Sequence, residues 1–195
     1  TFESMVTEIR KQSFALKNTL KSIYLPSTIN KIGASAFYKS CNLECVNINS
    51  SELSIDIEFG FESPFSACSK LSKFCGPLAS DDGRCIVIGQ ELCCFAPYGL
   101  SEYITPHGIK TIKKGAFSRC KLESITISEG VEQIEEAAFS PYDYFTNGTP
   151  LKYVYLPISL KNIHNYAFIY NQNIEAFLGN SKFISDDNYS LIIES

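Results

Sequence analysis

Residues 20–41 read LKSIYLPSTINKIGASAFYKSC, and this stretch decides the fold because its apolar pattern recurs along the chain. Its first six residues are apolar at positions 1, 4 and 6, which are Leu20, Ile23 and Leu25. The same spacing begins again at Leu43, Leu122 and Leu151. Self-similarity at a period of about 20 to 50 residues is typical of stacked repeats, so the sequence predicts a repeat architecture.

The second half of each repeat is as regular as the first. Leu25-Pro26 leads to Ile29, Ile32 and Phe37 at offsets of 4, 7 and 12 residues from Leu25. The same gap from Ile to Phe recurs in IRKQSF, IGASAF, IKKGAF, IEEAAF and IHNYAF, which begin at residues 9, 32, 112, 134 and 163. Coincidental alternation in an unrelated β-rich domain would not reproduce this gap.

The lengths of the repeats define their number. Repeats start at Leu20, Leu43, Leu71, Leu100, Leu122, Leu151 and Ile174, which are 23, 28, 29, 22, 29 and 23 residues apart. The basic repeat is therefore 22 or 23 residues long, with insertions in three copies. Val6, Ile9 and Phe14 match the tail of a further repeat. We expect residues 1–195 to form one solenoid fragment of about seven repeats, which starts in mid-repeat and comes from a longer array.

Each part of the repeat has a predicted conformation. The spacing 1, 4, 6 suits a short strand that pairs with the strand of the next repeat at about 4.8 Å. Proline after the strand, as at Pro26, Pro106 and Pro157, ends ladder pairing because it has no N–H. The Ala-Phe pair then predicts a short helical or 3₁₀ turn that closes the coil. The fold class predicted is a mainly β solenoid with a parallel sheet.

A β-hairpin is predicted near residues 80–97, between two repeats. Gly89-Gln90 is a two-residue turn of the Gly-X kind between the apolar runs 85–88 and 91–95. Counting outward from the turn places Cys85 opposite Cys94. The same signals return at residues 177–193, which predicts a second hairpin there.

In these motifs the chain resembles the BspA-like leucine-rich repeats, whose repeats read roughly L-x-x-I-x-I-P-x-x-V-x-x-I-G-x-x-A-F-x-x-C. Residues 20–41 are close to that consensus, and the resemblance covers nearly the whole chain. It implies a right-handed leucine-rich-repeat coil and an extracellular or cell-surface location. It also implies adhesion to, or recognition of, a protein or glycan on a host cell or in the extracellular matrix.

The eight cysteines invite a disulfide or metal hypothesis. Cys41, Cys68 and Cys120 follow the phenylalanine of their repeats by three or four residues, which favours a small buried residue at one corner of the coil. Cys85 and Cys94 are candidates for a cross-strand disulfide, although thiols suffice for packing. No C-x-x-C occurs, so we predict no metal site and no cofactor.

Composition and motifs argue against several function classes. The chain has 17 Lys plus Arg against 21 Asp plus Glu, which excludes the basic stripe of a nucleic-acid-binding protein. No segment approaches the roughly 20 apolar residues that span a bilayer. Cys120 and His107 are the only pair worth weighing as a nucleophile and base, but the repeat explains both positions. We therefore predict a non-catalytic protein.

The strand pattern predicts which residues face a partner. Positions 3 and 5 of each strand point away from the core, and exposed tyrosines there offer large contact area at low entropic cost. The preferred contacts are Tyr24, Asn47, Thr126, Tyr153 and Tyr155. A solvated sheet face that only satisfies β-propensity, in a structural spacer within a longer surface array, is the alternative.

Overall fold

A computed structural model describes residues 6–57, 63–141, 150–179, 183–187 and 190–193, with side chains as far as residue 179. These residues form short strands and turns and contain no helix. They divide into two compact units, unit 1 (Thr1–Ile88 and Cys93–Gly99) and unit 2 (Gly89–Leu92 and Leu100–Ser195). Each unit is a β-solenoid built from parallel strands, which confirms the predicted fold class. The prediction that residues 1–195 form a single solenoid stays a prediction.

Unit 1 contains two parallel three-stranded sheets. The front sheet is made of the strands that carry the 1, 4, 6 spacing, which are β2 (Ser22–Leu25), β4 (Cys45–Ile48) and β6 (Lys73–Cys75). The return sheet follows the proline corner and contains β1 (Glu8–Ile9), β3 (Lys31–Ile32) and β5 (Ser54–Ile55). Equivalent repeat positions are in register in both sheets, as when Ile23 pairs with Val46.

Unit 2 repeats this plan. Its front sheet contains β9 (Glu102–Ile104), β11 (Ser124–Thr126), β13 (Tyr153–Leu156) and β15 (Ala176–Gly179). Its return sheet contains β10 (Thr111–Ile112), β12 (Gln133–Ile134) and β14 (Asn162–Ile163), beside the first residues of β8 (Glu91–Phe95). All of these neighbours are parallel.

Both predicted hairpins are present. Strand β7 (Cys85–Ile88) and strand β8 flank a two-residue turn at residues 89–90, as the Gly-Gln pair predicts. Strands β16 (Phe183–Asp187) and β17 (Ser190–Ile193) pair antiparallel at the second site. The described part of the chain has no helix with the length and apolar character needed to cross a bilayer.

The core of each coil consists of the apolar repeat positions. Val46 and Ile48 of β4 and Leu43 just before it are buried, and so are Ile29 and Ile32 of the return segment. The phenylalanines of successive repeats stack on one another in each unit. Ring centroids are 5.3 Å apart for Phe14 and Phe37 and 5.2 Å apart for Phe37 and Phe65 in unit 1. Because the phenylalanine occupies the same position in successive repeats, the rings form an aromatic column in each unit.

The phenylalanine turns differ from the helical or 3₁₀ turns predicted. Each is a pair of hydrogen-bonded turns, as when Ala36 N donates to Gly33 O and Tyr38 N donates to Ser35 O. In the turn of Phe37, the residues two before and two after the phenylalanine adopt left-handed backbone, with φ of 54° at Ser35 and 53° at Lys39. A left-handed residue cannot continue a helix. Hydrogen bonds to the next coil, such as the one from Lys39 N to Ser66 O, hold the turn in this conformation.

Candidate binding face

An exposed apolar row crosses the front sheet of unit 2. Ile104, Thr126, Tyr155 and Leu178 occupy position 5 of four successive strands, and their strands pair in register. Ile104 is 64% exposed, Tyr155 42% and Leu178 37%. Position 4 points into the core instead, so Ile125 and Val154 are fully buried. Alternation along each strand thus separates a buried apolar layer from an exposed one.

Tyr153 lies at position 3 beside this row, next to acidic side chains. Its hydroxyl donates a hydrogen bond of 2.7 Å to Glu175 Oε2, and this bond raises the pKa of Tyr153 because the phenol must stay protonated to donate. Glu102 and Glu123 are also exposed on this side. Lys152 forms an ion pair with Glu123, with Nζ 3.4 Å from Oε2. The flank of the apolar row therefore carries net negative charge.

The front sheet of unit 1 has a more polar face. Tyr24 is 49% exposed and pairs in register with Asn47, which in turn pairs with Cys75. Of the five contacts predicted, Tyr24 and Asn47 thus lie in unit 1. Thr126, Tyr153 and Tyr155 lie together in unit 2. The structure places all five on outward-facing positions, and their role in binding stays a prediction.

Sequence reasoning undervalued two members of the row in unit 2. Ile104 and Leu178 occupy the outward position of the repeat but are not among the five predicted contacts. The signal available was an apolar residue at a position that alternation turns toward solvent. Ile104 is the most exposed large apolar residue of the front sheets among the described residues.

The eight cysteines fall into buried and half-buried groups. Cys85 and Cys94 are both buried, and their disulfide stays a prediction. Cys68 and Cys120 fill the predicted corner of the coil, and burial raises the pKa of Cys68 to about 12 and that of Cys120 to about 11. Cys41, one residue further from its phenylalanine, is only half-buried, so the corner prediction is wrong for it.

The residues weighed for catalysis are not arranged as an activated nucleophile. A nucleophilic cysteine needs a lowered pKa, whereas burial raises that of Cys120. His107 is exposed in the turn that follows Pro106. A depression of about 390 Å³ in unit 2 is lined by Glu136, Asn162, Ile163, His164, Asn165 and Tyr166. None of these six is a serine, threonine or cysteine.

No cluster of three or more metal-ligating side chains is present in the part of the chain that the structure describes. In unit 2, several acidic side chains near the return sheet pair instead with lysines of neighbouring coils. Lys113 Nζ lies 2.7 Å from Glu135 Oε1 and 3.3 Å from Glu91 Oε1. These carboxylates therefore serve as partners for lysine.

Each unit has the features of a leucine-rich-repeat solenoid. These are two parallel sheets, repeats that pair in register and a column of stacked phenylalanines. The chain belongs to the BspA type leucine-rich repeat region family, whose model matches residues 1–79 and 88–191 in six copies. No curated protein matches the chain.

Solved bacterial proteins share this fold. A leucine-rich cell surface protein from Faecalibacterium prausnitzii is 23% identical with a TM-score of 0.52, over 98% of this chain and 50% of that one. A leucine-rich repeat protein from Eubacterium ventriosum is 16% identical with a TM-score of 0.54, over 91% and 58%. One from Bacteroides ovatus is 21% identical with a TM-score of 0.50, over 92% and 47%. The chain thus spans about half the length of these proteins.

Proposed function

We propose that this chain is a non-catalytic binding module of a cell-surface or secreted protein, and that it recognises a protein on a host cell or in the extracellular matrix. The front sheet of unit 2 is the contact surface. The observation that carries the proposal is the exposed row of Ile104, Tyr155 and Leu178 across neighbouring strands. The alternative function is a structural spacer in a longer surface array.

The row is a good contact surface because its members are aligned and held by a rigid sheet. Isolated exposed apolar residues are ordinary, whereas an aligned row rimmed by polar groups is typical of a protein-binding patch. Tyr155 adds a large side chain with few rotatable bonds, so little entropy is lost when a partner covers it. A solvated sheet face without a partner would be expected to carry polar residues at position 5, whereas in unit 2 only Thr126 of the four is polar.

The chemistry of the face favours a protein partner over a glycan. Aliphatic Ile104 and Leu178 offer neither a ring for stacking nor hydrogen bonds for sugar hydroxyls. The acidic flank at Glu102, Glu123 and Glu175 favours a partner with basic residues beside an apolar patch. A glycan that binds instead through Tyr153 and Tyr155 is one outcome of the experiment below.

A surface location is supported by the family to which the chain belongs and by the description of one solved protein with a similar fold. The chain is a member of the BspA type family, and the F. prausnitzii protein of similar fold is described as a leucine-rich cell surface protein. We propose the same location for this chain.

The experiment is a binding screen of the chain against immobilised host extracellular proteins and glycans. Ile104→Ser and Tyr155→Ala remove contacts in the row of unit 2. Ile158→Ser is the matched control, because Ile158 is 65% exposed in the same unit but lies outside the front sheet. Tyr24→Ala tests the sheet of unit 1 independently.

We expect selective binding that weakens at least about tenfold in Ile104→Ser and in Tyr155→Ala, corresponding to about 1.4 kcal/mol or more each. Ile158→Ser should bind like the parent. Higher ionic strength should reduce the association rate, because the flank is acidic. Loss only in Tyr24→Ala would move the site to unit 1, and the absence of any selective ligand would favour the spacer.

A further inference from the structure

Two cysteines face each other on the front sheet of unit 1. Cys45 lies in β4 at position 3 of its repeat, and Cys75 lies in the neighbouring strand β6 at position 5 of the next repeat. Residues at positions 3 and 5 point to the same side of a strand, away from the core. Both side chains are half-buried, and their Sγ atoms are 3.8 Å apart.

Packing of the core does not explain this pair. The inward positions of the two strands are filled by Val46 and Phe74, both buried. The outward positions of other repeats carry Ser22, Tyr24, Glu102, Ser124 and Tyr153. Two thiols at outward positions of adjacent strands are thus a departure from the repeat, and they converge on one point of the sheet surface.

We propose that Cys45 and Cys75 chelate one thiophilic divalent metal ion of the Zn²⁺ or Cd²⁺ class on the open face of this sheet. Two thiolates bound at about 2.3 Å to one tetrahedral ion lie about 3.8 Å apart. That separation is the one already present between the two Sγ atoms. On binding, two S–H bonds break, two metal–sulfur bonds form and two protons pass to solvent.

A disulfide fits the geometry less well. The two cysteines are diagonal neighbours, since Cys45 pairs with Lys73 and Asn47 pairs with Cys75. A strand separation of about 4.8 Å and a rise of about 3.3 Å per residue put their Cα atoms about 8 Å apart. Disulfides bridge Cα atoms about 4.4–6.8 Å apart, so oxidation would require the strands to shift. Chelation requires no backbone movement.

A bound ion would be held by two thiolates and would have open coordination positions. Burial raises the pKa of the Cys45 thiol, as does its contact with Cys75, and the positive charge of Lys73, in register beside it, acts in the opposite direction. The ion therefore has to displace the thiol proton when it binds. No third ligand joins the pair, because the described residues contain no metal-ligating group of three. The ion would therefore keep positions for water or an external ligand, unlike a structural zinc site with four protein ligands.

The test is a titration of the reduced, metal-free chain with Cd²⁺ alone, followed by the ultraviolet charge-transfer absorption of cadmium thiolates. A second titration uses Zn²⁺ alone in competition with a chromophoric chelator. Cys45→Ser and Cys75→Ser each remove one ligand. Cys41→Ser is the matched control, because Cys41 is also half-buried in unit 1 but bonds to a backbone carbonyl. Circular dichroism verifies that each variant is folded.

We expect one ion per chain, with affinity reduced at least about tenfold in Cys45→Ser and in Cys75→Ser and unchanged in Cys41→Ser. Binding that survives in both serine variants would overturn the proposal, and so would the absence of binding at about 100 µM free ion. A reduced chain that binds no ion, yet forms a Cys45–Cys75 disulfide with oxidised glutathione, would replace the chelate with a redox pair. Selective binding through the front sheet of unit 2 is unaffected by any of these results.

Discussion

Phe117 and Phe139 stack face to face, with ring centroids 4.9 Å apart and planes inclined by 9°. Phe139 also stacks on Phe168 at 4.7 Å, so it is packed on both faces. The backbone follows the same spacing, because Phe117 N donates to Ala138 O and Phe139 N donates to Ala167 O. The aromatic column and the ladder of the turns therefore stabilise the same coil-to-coil contact.

Phe139→Ala should destabilise unit 2 by about 3–5 kcal/mol, because it removes a buried ring and leaves a cavity between two others. Denaturant unfolding followed by circular dichroism measures this loss. Phe177→Ala is the control, since Phe177 is only half-buried and meets Phe168 edge to face at 5.2 Å. Equal losses in the two variants would show that the column does not stabilise the unit through its stacked faces.

A second contact links the coils at the residue three after Phe37, Phe65 and Phe168. Ser40 Oγ donates to Phe14 O at 2.8 Å, Cys68 Sγ donates to Phe37 O at 3.0 Å, and Asn171 Nδ2 donates to Phe139 O at 2.9 Å. Three different side chains thus donate to the carbonyl of the preceding phenylalanine.

Ser40→Ala should cost about 1–3 kcal/mol, because it leaves that carbonyl without its side-chain donor in a buried corner. Ser40→Cys should cost less, since cysteine makes the same bond at Cys68. Chemical denaturation of both variants measures the difference. If alanine and cysteine were equally destabilising, the hydrogen bond would not be the reason for the repeated donor.

Gly76 should tolerate no side chain. Its φ is 112°, and a Cβ atom there would overlap the carbonyl oxygen of Ile48 in the neighbouring coil. Gly76→Ala should therefore lose at least about 3 kcal/mol, since backbone strain adds to a clash with backbone. Gly99→Ala is the control, because φ is 80° there but nothing lies within 4 Å of an added Cβ. That variant should lose about 1–2 kcal/mol. Thermal unfolding of both variants checks this ranking, which equal losses would contradict.

Stability should fall in alkali because of the buried thiols. Burial raises the pKa of Cys120 from 9.0 to about 11, so the folded chain keeps a proton that the unfolded chain loses. The contribution is complete below pH 9 and decreases by about 1.4 kcal/mol per pH unit between pH 9 and pH 11.

Unfolding free energies measured between pH 8 and pH 11 test this linkage. Cys120→Ala should flatten the decrease relative to the parent chain. An unaltered slope in Cys120→Ala would mean that its thiol does not titrate differently in the folded and unfolded chains.

Much of the fold could be predicted because the repeat is local in sequence. The apolar spacing located every front strand, from β2 to β15, and the Gly89-Gln90 turn located the hairpin. The phenylalanine turns could not be predicted. Non-glycine residues such as Gln12 and Leu16 adopt φ of 56° and 60° there, which the amino-acid types do not signal. Hydrogen bonds from these residues to the next coil decide their conformation.

The sequence by itself determined the repeat, its inward and outward positions, and therefore which residues could face a partner. Only the tertiary structure decided which outward residues meet. The 3.8 Å approach of Cys45 and Cys75 joins residues 30 positions apart, and it depends on strand register and side-chain direction together. The exposure of Ile104 depends likewise on its neighbours in other coils. Spacing along the chain specifies a face, whereas distances across coils arise only when the coils stack.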